Sequence, residues 1–161
     1  MHNKENEFNS KYEKYADMLY RIASLYLNNK SEAEDVLQDV FIKLLYKSPS
    51  FNGDEHEKAW LIRVTQNKCK DILRSAKHKK SELPDNLSSD DENEERLLSV
   101  RLSIMRLPEK YKTVVFLYYY EGYSIGEIAK ILHISNSAVK MRLKRSREIL
   151  KLDLEEQYEK E

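Results

Sequence analysis

SIGEIAKILHISNSAVKMRLKRSRE, residues 124–148, is the stretch of sequence that decides the fold. Apolar residues recur in it every three or four positions, which is typical of amphipathic helices. We predict one helix from Ile125 to Leu132 and a second from Asn136 to about Leu152. Only residues 133–135 separate them, and this spacing is typical of a helix-turn-helix unit.

Two local features support this interpretation. Ser124 followed by Glu127 predicts a capping box at the start of the first helix. His133 stands where such turns often have a left-handed glycine, and histidine tolerates that conformation better than branched residues do. The residues expected to form the shared core are Ile125, Ile128, Leu132, Ile134, Val139 and Leu143.

The second helix of this unit has a polar and basic face. Five residues fall at i, i+3, i+4, i+7 and i+8, so they share one side of the helix. This recognition face consists of Ser137, Lys140, Met141, Lys144 and Arg145. Lysine and arginine contact guanine edges and phosphates in a major groove. The pattern favours DNA binding, and the alternative is a merely solvated basic face.

Composition extends the helical prediction to the whole chain. Of 161 residues only three are Gly and three are Pro, while 35% are charged. We therefore expect an all-α chain with too few apolar residues for one deep core, that is, two small helical domains. We place these domains at residues 1–79 and 95–161, and a flexible acidic linker at residues 80–94.

Three helices are predicted in the first domain. The first is expected to span residues 8–26. The second begins at Ser31, which forms a capping box with Glu34, and ends just before Pro49. The third runs from Glu55 to about Lys77, with Asp54 as its N-cap. In the second domain, Pro108 is expected to start a helix that Gly122 ends.

The third helix carries a basic stripe, whose members fall at i, i+4, i+7, i+11 and i+14. These residues are Arg63, Asn67, Lys70, Arg74 and Lys77. Residues 58–80 hold eight basic side chains and one acid, a local charge of +7, whereas residues 81–95 hold seven acids and no base. Beside the aromatic Phe51, such a stripe suits single-stranded DNA. A solvated helix face remains the alternative.

An acidic patch is predicted on the second helix, pointing away from its apolar stripe. It consists of Asp35, Gln38, Asp39 and Ile42. Carboxylates around an apolar centre suit docking to a basic helical partner. Ordinary solvated carboxylates explain Asp35 and Asp39 nearly as well, so the residues alone do not identify a partner.

Several classes of protein are excluded by what the sequence lacks. The lone Cys69 forms no internal disulfide, and four scattered histidines have no metal-ligand spacing, so we expect no metal. No paired carboxylate, activated nucleophile or glycine-rich phosphate loop is present, so we expect neither an enzyme nor a cofactor. Without an apolar span or signal core, the protein is expected to be cytoplasmic.

Three segments together resemble the extracytoplasmic-function (ECF) sigma factors of the sigma-70 family. They are AEDVLQDVFIKLL (33–45), SFNGDEHEKAWLIRVTQNKCKDILR (50–74) and LPEKYKTVVFLYYYEGYSIGEIAKIL (107–132), the last followed by the basic helix. The resemblance runs from about Phe8 to about Leu152. It implies a sigma region 2 domain and a sigma region 4 domain, in a subunit that directs RNA polymerase to specific promoters.

The resemblance also implies a role for each surface. The acidic patch would meet the coiled coil of the polymerase beta-prime subunit, and the region 4 domain would meet the beta flap. Phe51 and Asn67 would hold a flipped base of the minus-10 element, while Arg63, Lys70 and Arg74 grip adjacent DNA. The recognition face would read the minus-35 element. Members of the family are commonly inhibited by an anti-sigma factor, often membrane-anchored, and a similar partner is implied here, with no small-molecule substrate.

The alternative is a stand-alone helix-turn-helix regulator that binds duplex DNA as a dimer. Such a protein needs a dimerisation surface and leaves the region of Phe51 and Asn67 without a purpose. We therefore favour the sigma factor.

Overall fold

The computed structural model describes residues 2–75 and 92–159, and it describes side chains for residues 3–75 and 99–151. Within these ranges the chain forms seven α-helices and one π-helical segment, and no strand. The all-α prediction is therefore confirmed. The chain divides into two compact units, Met1–Ser81 and Glu82–Glu161.

The first unit is a three-helix bundle of α1 (His2–Tyr26), α2 (Lys30–Lys47) and α3 (Asp54–Arg74). Each helix contributes an apolar stripe to one core, because its apolar residues recur every three or four positions. The most deeply buried of these residues include Leu19, Ile22, Val36, Val40, Leu61 and Ile62. All three helices pack against one another, which leaves the outer faces of α2 and α3 available for other contacts.

Two predicted helix caps are wrong. The N-cap of α2 is Asn29, whose Oδ1 accepts a hydrogen bond from the Glu32 N–H at 3.0 Å, so Ser31 lies inside the helix. Asparagine caps helices as well as serine does, and Asn29 already has the extended conformation that a cap needs. The N-cap of α3 is Gly53, at φ 103°, and not Asp54, whose carboxylate pairs with Lys14 instead.

The predicted end of the third helix and most of the linker lie outside the described residues. α3 is described to Arg74, so Lys77 of the basic stripe is not placed. The helix α4 (Glu92–Arg106) begins three residues before the predicted end of the linker. Residues 92–94 are therefore helical, in contrast to the prediction that they belong to the linker.

The second unit continues from α4 with α5 (Glu109–Val115), a π-helical segment (Phe116–Tyr120), α6 (Ile125–Leu132) and α7 (Asn136–Glu159). Its buried core includes Ile104, Val114, Leu117, Ile128, Val139 and Leu143. Pro108 is the N-cap of α5, one residue before the predicted first turn, and Gly122, at φ 73°, lies just after the π-helical segment, near the predicted helix end. The π-helical segment itself was not predicted, and such segments are frequent at functional sites.

The helix-turn-helix prediction is confirmed in detail. The Ser124 hydroxyl accepts from the Glu127 N–H, and the Glu127 carboxylate accepts from the Ser124 N–H, each at 3.1 Å. His133 adopts the left-handed conformation, at φ 55° and ψ 46°, which ends α6. The Ser135 hydroxyl then accepts from the Ala138 N–H at 3.0 Å and caps α7. Of the six predicted core residues, four are buried, while Ile125 and Ile134 are half-buried at the margin.

Candidate nucleic-acid and partner interfaces

The recognition face is presented on α7 as the sequence predicts. Its five residues are all exposed, and Met141 is 52% exposed. On the opposite side of the helix Val139 and Leu143 are buried, so α7 cannot rotate without exposing its core side chains. The Arg142 guanidinium donates to the Lys110 carbonyl oxygen at 3.4 Å and ties α7 to α5. The arrangement is a rigid, basic helix of the kind that enters a major groove.

One basic residue beside this face was missed. The Arg147 guanidinium donates to the Tyr119 hydroxyl at 3.3 Å, and both side chains are exposed. Arg147 lies seven residues after Lys140 and three after Lys144, so it borders the recognition face on the helix surface. That spacing is visible in the sequence, whereas the contact with Tyr119 comes from the tertiary fold.

The basic stripe lies along α3. Asn67 and Arg74 are exposed, and Arg63 and Lys70 are half-buried. Burial lowers the pKa of the Arg63 guanidinium, which nonetheless stays protonated because arginine is charged throughout the physiological range. The stripe therefore presents cations and one neutral amide along one helix face.

Phe51 is held at the amino-terminal end of α3 by aromatic contacts. Its ring packs edge-on against His56, at 5.4 Å between centroids, and against Trp60, at 5.5 Å. The Asn52 N–H donates to His56 Nδ1 at 3.0 Å and fixes the loop. Trp60, which was not predicted as a site residue, is half-buried and completes an aromatic platform with Phe51. Asn67 follows Trp60 by seven residues, about 10 Å along the helix axis.

The acidic patch on α2 is confirmed as a surface. Its four residues are all exposed, with Ile42 55% exposed. The structure enlarges its apolar part, because Leu45 and Tyr46 on the next turn are also exposed. An exposed apolar group flanked by carboxylates is typical of a docking surface.

The acidic patch and the basic stripe are neighbours in the first unit. Asp39 of the patch pairs with Lys68 on α3, with 3.3 Å between Asp39 Oδ2 and Lys68 Nζ. Asp39, Lys68 and Asn67 also line one groove between α2 and α3. This adjacency does not follow from the sequence, because it depends on how the two helices pack.

Metal and membrane features are absent from the part of the chain that the structure describes. In that part, no cluster of three or more His, Cys, Asp or Glu side chains could bind a metal ion. Cys69 is buried. Among the described helices none is both long and apolar enough to cross a membrane.

Two family models match the chain, one for each unit. The sigma-70 region 2 model matches residues 12–79, and the sigma-70 region 4 model matches residues 97–150. The fold and these matches define the class of protein, namely a sigma-70-type RNA polymerase sigma factor with a region 2 and a region 4 domain.

Curated relatives define the subgroup. RNA polymerase sigma factor SigZ of Bacillus subtilis is 36% identical over 135 residues, covering 80% of this chain and 76% of the relative. ECF RNA polymerase sigma factor SigW of the same organism is 32% identical over 160 residues, covering 87% and 84%. ECF RNA polymerase sigma factor SigM of Mycobacterium tuberculosis is 32% identical over 143 residues, covering 87% and 73%. The chain belongs to the ECF family of RNA polymerase sigma factors.

Solved structures share the fold. The structure of CnrH in complex with the cytosolic domain of CnrY has a TM-score of 0.70 and 24% identity, covering 94% of this chain and 89% of that chain. The sigma factor RpoE of Bartonella quintana, solved with the anti-sigma factor NepR, has a TM-score of 0.66 and 20% identity, covering 92% and 97%.

Proposed function

We propose that this protein directs core RNA polymerase to a set of promoters and captures their melted minus-10 DNA, so that transcription can start. The observation that carries the proposal is the presence, in one chain, of a helix-turn-helix with an exposed basic helix and of a separate bundle with a second basic helix. A single duplex-binding regulator needs only the first of these. We assign residues 1–79 to the region 2 domain, and we place the start of the region 4 domain, predicted at residue 95, at residue 92, where α4 begins.

The minus-10 site in this proposal is the basic stripe with the aromatic platform. A base that leaves the duplex stacks beside Phe51 and Trp60, and the Asn67 amide hydrogen-bonds to the edge of a base. Arg63, Lys70 and Arg74 neutralise phosphates of the separated strand, which lowers the free energy of the melted state. Stacking contributes roughly 1 to 3 kcal/mol per base. The protein therefore stabilises the open state by binding, without a chemical step.

The minus-35 site is the recognition face of α7. Lys140, Lys144 and Arg145 contact base edges and phosphates in the major groove, and Ser137 and Met141 contribute a hydroxyl and an apolar contact. The exposure of all five residues supports this role. The rigid hold of α7 against α5 also supports it, because base readout requires a fixed orientation.

The acidic patch is the polymerase-binding surface in this proposal. Asp35 and Asp39 attract a basic coiled-coil segment of the beta-prime subunit, and Ile42 supplies apolar contact with Gln38 beside it. Exposed Leu45 and Tyr46 extend the apolar contact. The region 4 domain meets the beta flap of the polymerase.

Regulation in this proposal depends on an inhibitory partner. The CnrH structure contains the cytosolic domain of CnrY, and the RpoE structure contains the anti-sigma factor NepR. We propose that an anti-sigma factor, soluble or membrane-anchored, covers the exposed polymerase-binding and DNA-binding surfaces of this chain. The protein then acts in the cytoplasm after release.

The test is run-off transcription from genomic DNA fragments with purified core RNA polymerase, with and without this protein, followed by sequencing of transcript starts. We expect new starts that depend on the protein and share two spaced upstream elements. If no new starts appear while the protein alone binds duplex DNA, the sigma role is wrong and a dimeric duplex-binding regulator is favoured.

A further inference from the structure

One ion pair joins the acidic patch to the helix that carries the basic stripe. Lys68 Nζ lies 3.3 Å from Asp39 Oδ2, with the Lys68 side chain 44% exposed and that of Asp39 54% exposed. Lys68 directly follows Asn67 in the sequence, and both residues line the groove between α2 and α3. The same lysine therefore contacts one proposed interface and adjoins the other.

Two more charges lie in this groove, Lys43 on α2 and Asp71 on α3. The four charged groups are two cations and two anions, so the free protein has a locally neutral groove. A basic partner that pairs with Asp39 removes this balance, and Lys68 then remains as an excess cation beside Asn67. Asp71 is the internal acceptor that competes for it.

The ion pair between Lys68 and Asp39 is weak enough for either residue to change partner. Ion pairs between exposed side chains contribute about 0 to 1 kcal/mol, because solvent screens them and two flexible chains lose freedom. A basic helix that presents several cations to Asp35 and Asp39 together competes effectively with one lysine. The long, flexible stem of lysine then lets its ammonium move within the groove without a backbone change.

The geometry points to Lys68 as a further DNA-contacting residue, which Asp39 holds in the free protein and which polymerase docking releases to a phosphate of the melted strand next to Asn67. This inference rests on the proposed function, since it takes the acidic patch as the polymerase surface and Asn67 as a minus-10 residue. The inference links the two surfaces, because polymerase bound at the acidic patch makes the Lys68 ammonium available at the minus-10 site.

The first experiment measures binding of the full-length protein to core RNA polymerase. Lys68→Met keeps the aliphatic stem and frees Asp39, so we expect binding about two- to fivefold tighter than that of the unaltered protein. Lys43→Met is the matched control, because it removes a groove lysine that has no ion pair with Asp39 among the described contacts. We expect the Lys68→Met gain to exceed that of Lys43→Met and to vanish in an Asp39→Asn background.

The second experiment measures binding of the assembled holoenzyme to a labelled single strand carrying the non-template minus-10 region of a promoter found by run-off transcription. Affinity is measured between low and moderate salt. Loss of one phosphate contact reduces the slope of log K against log salt by about 0.7 for single strands. We expect this reduction for Lys68→Met and no change for Lys43→Met.

The outcomes separate the inference from the proposed function. If Lys68→Met and Lys43→Met bind polymerase equally, or if the gain persists with Asp39→Asn, Asp39 does not hold Lys68 and the inference is wrong. An unchanged salt slope for Lys68→Met also overturns it, because it shows that Lys68 contacts no phosphate in the holoenzyme. If the unaltered protein does not bind core polymerase at all, the proposed function itself fails, and the inference with it.

Discussion

Lys11 and Glu57 form an ion pair that fastens α1 to the first turn of α3, with 2.6 Å between Lys11 Nζ and Glu57 Oε2. The Glu57 side chain is only 7% exposed, so the Lys11 ammonium replaces part of the solvent that the carboxylate loses on burial. The hydrogen bond from Lys11 to Glu57 raises the pKa of Lys11 above its ordinary value, although burial opposes the shift. The contact holds the end of α3 next to the loop that carries Phe51.

Replacing Lys11 by Met should destabilise the first unit by about 2 kcal/mol, because it leaves the buried Glu57 carboxylate without its charged donor. The single tryptophan, Trp60, lies in α3 and makes fluorescence a specific probe of this unit. Urea unfolding followed by this signal measures the change. Lys14→Met is the control, because its pair with Asp54 is exposed and contributes at most about 1 kcal/mol. Equal effects of the two substitutions would contradict the special role of Lys11.

His133→Gly should stabilise the second unit by about 0.5 to 1 kcal/mol, since the left-handed conformation at φ 55° is less favourable for histidine than for glycine. Thermal unfolding followed by circular dichroism measures the shift in Tm. The matched control is Lys130→Gly in α6, an exposed helical position where glycine costs about 1 kcal/mol. The two glycine substitutions should therefore have opposite signs, and a lower Tm for His133→Gly would show that the turn is not strained.

The pKa of Glu127 should lie below that of an ordinary glutamate, because the Ser124 N–H and hydroxyl stabilise the carboxylate. Because the folded-state pKa is depressed, the capping box contributes its full stabilisation of α6 at pH values above the unfolded-state pKa. This stabilisation is lost as the pH falls through the folded-state pKa. An NMR titration of the Glu127 carboxyl measures the value directly. In Ser124→Ala the pKa of Glu127 should rise only in part, because the backbone N–H of residue 124 remains and only the hydroxyl is lost. An ordinary glutamate pKa in the unaltered protein would mean that the capping box does not form in solution.

Asn67→Ala should reduce open-complex formation by about five- to hundredfold while leaving core-polymerase binding intact, because a base contact contributes roughly 1 to 3 kcal/mol. Permanganate footprinting of the melted region measures the first quantity, and a core-binding assay measures the second. Asn9→Ala, at an exposed helical position of α1, is the matched control. Unchanged promoter melting in Asn67→Ala would exclude this residue from the minus-10 site.

Lys140→Ala should weaken transcription from the protein's own promoter by about fivefold or more, and change association with core polymerase much less, because major-groove contacts contribute roughly 1 to 3 kcal/mol. Run-off transcription with the intact promoter and with a substituted minus-35 element measures the effect. On the promoter with the substituted minus-35 element, Lys140→Ala and the unaltered protein should give equal transcription. Lys30→Ala, an exposed lysine of α2, should transcribe normally. Equal transcription by Lys140→Ala would remove this residue from promoter recognition.

Helix positions and exposed faces were predictable because both depend on local spacing. The capping box at Ser124 and the left-handed turn at His133 follow from residues within one turn of each other. The recognition face follows from the 3.6-residue period of the helix. The N-cap of α2 was predicted at Ser31 and lies at Asn29, because its position depends on how the preceding chain turns. The sequence alone therefore did not identify the correct residue.

The π-helical segment shows a different limit. Residues 116–120, FLYYY, have the apolar character of a buried helix, and Phe116 and Leu117 are indeed buried. In the same segment Tyr119 and Tyr120 are exposed. No local signal distinguishes this winding from an ordinary helix, because it depends on which side chains the rest of the unit can bury.

The sequence by itself determined the helical class, the helix-turn-helix, the three charged surfaces and the protein's membership in the ECF sigma family. Each of these depends on residue types at short spacing along the chain. Only the tertiary structure decided that Phe51 packs on Trp60, that Arg147 meets Tyr119 and that Lys68 holds Asp39. These contacts join residues on different segments, up to 29 positions apart in the case of Asp39 and Lys68. Their partners are chosen by the packing of whole helices, which minimises exposed apolar surface across each unit.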